Sequence, residues 1–126
     1  MLKIKYMISF FFIFVYLSVL SAWATPATNL QLAYDLSKQA ISIDSDHPSD
    51  RLDRHYIQRI VVIKNSQEKQ YFYFPRQTSA NKFITQLDYK AIPGDHLDIT
   101  LYCSQGGVTQ GSIDIVKSEE EKANHE

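Results

Sequence analysis

Apolar residues recur at every second position through most of the chain beyond residue 28. Leu30, Leu32 and Tyr34 alternate with polar neighbours, Ile41 and Ile43 do the same, and a denser run follows at Ile57, Ile60, Val61, Val62 and Ile63. Successive side chains of a strand point to opposite faces, so this alternation predicts short, half-buried strands. Tyr71 to Phe74 is aromatic on both faces; Phe83, Thr85, Leu87 and Tyr89 share one face; Leu97, Ile99, Leu101 and Cys103 share another; Ile113 and Ile115 mark a last strand. Turn residues fall between these runs at Asn65-Ser66-Gln67-Glu68, Ile92-Pro93-Gly94-Asp95 and Gly106-Gly107, where hairpins need them. No helical period of useful length occurs. The pattern predicts an all-β fold, an immunoglobulin-like β-sandwich of about seven strands in which two half-apolar sheets bury each other's inner faces.

The apolar run from Met7 to Leu20 is of another kind. Lys3 and Lys5 precede it and Ala22-Trp23-Ala24 follows, the order of a secretory signal with small residues where a peptidase cuts. The run is shorter than the roughly 20 residues that span a bilayer. The expected organisation is therefore a signal peptide over 1–24, a sandwich domain over 25–116 and a solvated, frayed acidic tail over 117–126. Export predicts a periplasmic protein with no membrane attachment after cleavage.

Length and composition narrow the function. The 126 residues allow one domain, and 44% hydrophobic with 21% charged residues excludes a disordered chain. With 13 Lys plus Arg against 14 Asp plus Glu, no basic surface is available for nucleic acid. A periplasmic protein partner would have to be recognised by local chemistry.

Cys103 is the only cysteine, which excludes an intrachain disulfide and a Cys-only zinc site. The chain carries no Gly-rich phosphate loop, nucleophile elbow or His-Glu-x-x-His. Asp44, Asp46, Asp50 and Asp53 read as one solvated polar loop without an EF-hand glycine, at most a weak site for a hard cation. His47 lies before the third strand, His55 opens it, and Cys103 ends the sixth. The third and sixth strands of such a sandwich share a sheet, so the three residues can converge at one edge. His96 faces away from Cys103 and His125 lies in the tail; both read as bystanders. The run Tyr71-Phe72-Tyr73-Phe74 reads as ordinary strand sequence rather than a stacking platform. The same residues also fit a metal-free reading, with Cys103 a buried core thiol and both histidines hydrogen-bonded caps.

His47-Pro48 followed by His55-Tyr56-Ile57-Gln58-Arg59-Ile60 resembles the His-Pro…His-Tyr-Ile-x-x-Ile segment of the superoxide reductases, the desulfoferrodoxin iron domain. Pro93-Gly94-Asp95 and Tyr102-Cys103-Ser104-Gln105-Gly106-Gly107 are similar to the region holding that family's Tyr-Cys-Asn-x-His-Gly. The likeness covers about residues 40 to 116. It implies an immunoglobulin-like sandwich with a mononuclear iron held by four equatorial histidines and an axial cysteine, reducing superoxide to peroxide. Carried over, His47 and His55 match two of the histidines and Cys103 the axial thiolate. Gly106 stands at the Cys-x-x-His position, and no histidine lies between Thr25 and Asp46. The resemblance thus implies a domain binding iron through His47, His55 and Cys103, in which Gly106→His would restore a ligand; zinc is the alternative metal, since two histidines, a cysteine and a water make an ordinary tetrahedral set for it. The same strand order also resembles carrier subunits of the thiosulfate-oxidising Sox system, which implies instead a metal-free periplasmic binding module; their tail cysteine has no counterpart here.

Overall fold

The computed structural model describes residues 26–117. The expected signal segment, and the acidic stretch beyond Lys117 with His125, lie outside the described residues. Seven strands follow in order: β1 (Thr28–Asp35), β2 (Ala40–Asp46), β3 (Ile57–Lys64), β4 (Glu68–Tyr73), β5 (Lys82–Asp88), β6 (His96–Cys103) and β7 (Val108–Asp114). They form two antiparallel sheets, β1-β2-β5 and β4-β3-β6-β7, so the seven-stranded sandwich that the alternation predicts is divided three and four. β3 and β6 are neighbours in the larger sheet, with Ile57 opposite Cys103 and Ile60 opposite Leu101.

The inner faces carry the core. Ile41 and Ile43 of one sheet meet Ile57, Ile60, Val62, Leu97, Ile99 and Leu101 of the other, all sealed from solvent. Burying one such side chain contributes about 1.5–3 kcal/mol, so the period-two pattern is also where most of the driving force lies. Phe83 and Phe74 close one flank edge to face, their ring centroids 5.3 Å apart. On the opposite flank Thr109 Oγ1 donates to the Ala27 carbonyl at 2.7 Å, joining β7 to the segment before β1.

The turns are as chemical as their sequences suggest. Asn65 and Ser66 both adopt positive φ, 51° and 61°, and the Gln67 N–H returns to the Lys64 carbonyl at 3.0 Å, the mirror-image twist that a right-handed hairpin needs. Pro93-Gly94 makes a turn with Gly94 at φ 99° and the Asp95 N–H on the Ile92 carbonyl. Residue 34 adds a longer tie: the Tyr34 hydroxyl donates to the Tyr89 carbonyl at 2.7 Å and accepts from the Ala91 N–H at 3.0 Å.

Two details correct the expectation. Asp44 and Asp46 belong to β2, not to a polar loop, because the ladder to β5 continues through Asp46 opposite Lys82. Lys82 bridges both carboxylates, at 3.0 and 3.6 Å, and Asn29 Nδ2 donates to Asp46 at 2.7 Å, which holds that carboxyl below its ordinary range. Only Asp50 and Asp53 remain in the loop, both exposed. His55 sits in the turn two residues before β3 rather than opening the strand.

Candidate metal centre

Three connections meet at one end of the sandwich: the β2–β3 loop that carries the chain from one sheet to the other, the β4–β5 loop, and the β6–β7 turn. His47 is the first residue after β2 and is 0% exposed. Cys103 ends β6 and is 3% exposed. His55 is half-buried. The imidazoles of His47 and His55 meet edge to face with centroids 4.8 Å apart and planes at 76°. One ligand atom from each of His47, His55 and Cys103 lies within 4.8 Å of the others. Donors around one tetrahedral ion stand about 3.3–3.5 Å apart, given metal–nitrogen and metal–sulfur distances of about 2.0 and 2.3 Å, so closure asks for side-chain shifts of about 1 Å.

Backbone and small polar side chains fix each donor. The His47 N–H donates to the Asn81 carbonyl at 3.0 Å and the Ser49 N–H to the Ala80 carbonyl at 2.7 Å, so the β4–β5 loop is laced along the β2–β3 loop. His55 is set by a turn in which its N–H donates to the Arg51 carbonyl at 2.7 Å, and the Ser49 hydroxyl donates to the His55 carbonyl. Ser104, beside Cys103, joins the two ligand segments. Its hydroxyl donates to the Arg54 carbonyl at 2.8 Å and accepts from the Tyr56 N–H at 3.1 Å, while its own N–H donates to the Tyr56 carbonyl at 2.8 Å.

Cys103 caps a tight turn. Its N–H donates to the Gly107 carbonyl at 2.8 Å, and the Gly106 N–H donates back to the Cys103 carbonyl at 3.0 Å. The Gln105 N–H points at Sγ from 3.4 Å. Gly106 holds φ at 95° and a Cβ there would meet nothing within 4 Å, so an imidazole at this position has space but a strained backbone.

Gln77 was not legible in the sequence. It is 1% exposed, thirty residues from His47, and its Oε1 lies 2.7 Å from His47 Nδ1. Its amide nitrogen donates to the His47 carbonyl at 2.8 Å and to the Ser79 carbonyl at 2.7 Å. On the other side of the His47 ring, Nε2 is buried and has no hydrogen-bond partner. Leaving a buried polar atom unsatisfied costs about 1–3 kcal/mol. The donor set fits a transition ion: two imidazoles and a thiolate are the ligands that zinc, iron and copper accept, and hard cations do not select them.

His96 is not part of the cluster. It begins β6 while Cys103 ends it, about 23 Å away along an extended strand, and its ring is held by Asp114 and Asp98. Among the described residues, His47, His55 and Cys103 form the one group of three side chains placed to hold an ion.

Fold and site together define an all-β sandwich with a buried His/His/Cys cluster at one end. No family model and no curated protein matches the chain. Among solved structures, a variant of the superoxide reductase (neelaredoxin) from Ignicoccus hospitalis is similar at a TM-score of 0.44 and 13% identity, over 73% of this chain and 82% of that one.

Proposed function

We propose that the domain binds one transition-metal ion, iron, through His47 Nε2, His55 and Cys103 Sγ. The observation that carries this reading is the His47 ring: one nitrogen is hydrogen-bonded to Gln77 and the other is buried, unpartnered and beside an imidazole and a thiol. The sequence likeness around His47-Pro48, His55-Tyr56-Ile57 and Tyr102-Cys103 favours iron. Bound iron supplies one-electron chemistry. The chain's own residues exclude water at His47 and Cys103, hold the Cys103 sulfur against a backbone N–H, and leave the half-buried His55 side as the approach from solvent. The proposal concerns binding and not superoxide reduction, because the described residues bring two imidazoles to the thiolate where the resembled family uses four.

Metal analysis of protein produced with added iron tests the reading. One equivalent of iron with a thiolate-to-iron absorption band is expected, and Cys103→Ser should remove both. One equivalent of zinc without colour would overturn iron as the metal while keeping the site. Metal-free protein after supplementation, with Cys103 reacting freely with thiol reagents, would overturn the site and leave a metal-free binding module.

We also propose export to the periplasm, supported by Lys3, Lys5, the apolar run and Ala22-Trp23-Ala24. Amino-terminal sequencing of the cellular protein is expected to start at Thr25; a membrane-bound form starting at Met1 would refute export with cleavage.

A further inference from the structure

We infer that Gln77 is a positioning residue that decides which nitrogen of His47 is offered to the ion. The inference rests on the metal-binding reading and adds to it a control held thirty residues away in the chain. A neutral imidazole carries its proton on one nitrogen and its lone pair on the other, and the partner of the first nitrogen decides which is which. The His47 and Ser79 carbonyls can only accept, so the group facing both, at 2.8 and 2.7 Å, is the NH2 of Gln77. Oε1 is therefore turned toward His47 Nδ1 at 2.7 Å, and an amide oxygen can only accept. The proton is thus held on Nδ1 and the lone pair on Nε2, the buried nitrogen without a partner.

The orientation does not depend on the ion. Gln77 is anchored through its own backbone as well, its N–H donating to the Leu52 carbonyl at 2.8 Å, and it is 1% exposed, so no water competes for the amide. The chain thereby sets the metal-binding tautomer before any ion arrives, and binding carries no cost of moving the proton across the ring. Second-sphere partners of this kind are worth about 10–100-fold in metal affinity.

The imidazole tautomer of His47, read by long-range proton–nitrogen NMR on metal-free wild-type protein, is expected to be Nδ1–H. In Gln77→Leu the Nε2–H form should become populated, and zinc titrated as the probe ion should bind about 10–100-fold more weakly. Gln77→Glu restores an acceptor at Nδ1 but not the two donations to carbonyls. It should recover most of the affinity while its melting temperature stays as low as that of Gln77→Leu. Affinity then follows the acceptor and stability follows the donors, a separation that a merely structural residue would not give.

Affinity that falls in step with melting temperature across the three proteins, or a Gln77→Leu variant that binds zinc as tightly as wild type, would overturn the inference and leave the metal site standing. An Nε2–H tautomer in metal-free wild type would overturn it even where Gln77→Leu does not fold. Wild type that binds no metal while His47 shows the Nδ1–H form would overturn the metal-binding reading, and with it any role of Gln77 toward an ion.

Discussion

His96 stands between two carboxylates, with Nδ1 2.6 Å from Asp114 and Nε2 3.2 Å from Asp98. Both contacts favour the imidazolium, the Asp114 hydrogen bond most, and raise the pKa above its ordinary value. A group whose pKa is raised by folding stabilises the protein fully below its unfolded pKa, about 6.5, and loses that contribution as pH rises through the folded value. His96→Gln should therefore melt below wild type at acidic pH, and the two should converge as pH rises through and above the folded pKa, in calorimetric scans across a pH series. Gly106→His bears on the site. Its left-handed backbone makes the side chain cost about 1–2 kcal/mol in the metal-free protein, although space is open. The variant should melt lower than wild type without metal and bind iron more tightly, which paired melting and titration measurements would show. That His47, His55 and Cys103 gather at one end of the sandwich was legible because strand order puts the third and sixth strands in one sheet. Gln77 was not: its role arises from a fold contact across thirty residues, and nothing adjacent to it distinguishes it from a surface glutamine.

Strand positions were legible wherever one face is buried, since a polar residue in the wrong register would enter the core. The reading failed at the end of β2, where Ser45 is fully buried among two aspartates. There the strand persists because Ser45 donates its hydroxyl to the Thr28 carbonyl at 2.8 Å and Lys82 neutralises its neighbours, neither of which leaves a hydrophobic signature. β7 supplies the opposite lesson. Gly111 sits in mid-strand, and a Cβ there would stand 3.0 Å from the methyl carbons of both Leu30 and Leu32, so β1 approaches β7 closely only because this position has no side chain. Gly111→Val should destabilise the domain by about 1–3 kcal/mol, seen as a lower urea midpoint with an unchanged slope. Asn65 joins two elements, donating to Asp95 at 2.9 Å and accepting from the His96 N–H at 2.9 Å while holding φ at 51°.

For the molecule as a whole, an ion that binds only the folded chain must stabilise it. At a free concentration one hundred times its dissociation constant the gain is about 2.7 kcal/mol, which in a domain of roughly 100 residues raises the melting temperature by about 10–20 °C. Thermal scans with metal and with chelator check this, and His47→Ala should remove the difference. The lacing of the three ligand segments has a further consequence in polymer terms. The described chain has no disulfide, so its two sheets are free to separate from either end. An ion shared by His47, His55 and Cys103 would act as a crosslink closing a ring of more than fifty residues, and such clips restrict chain fluctuation most when the ring is long. Fluctuations that unzip β3 from β6 would then begin only at the far end, around Lys64 and His96, in the metal-bound protein. With the metal stripped, they would begin at Ile57 and Cys103 as well, and amide exchange at those two residues should quicken while exchange near Lys64 stays the same.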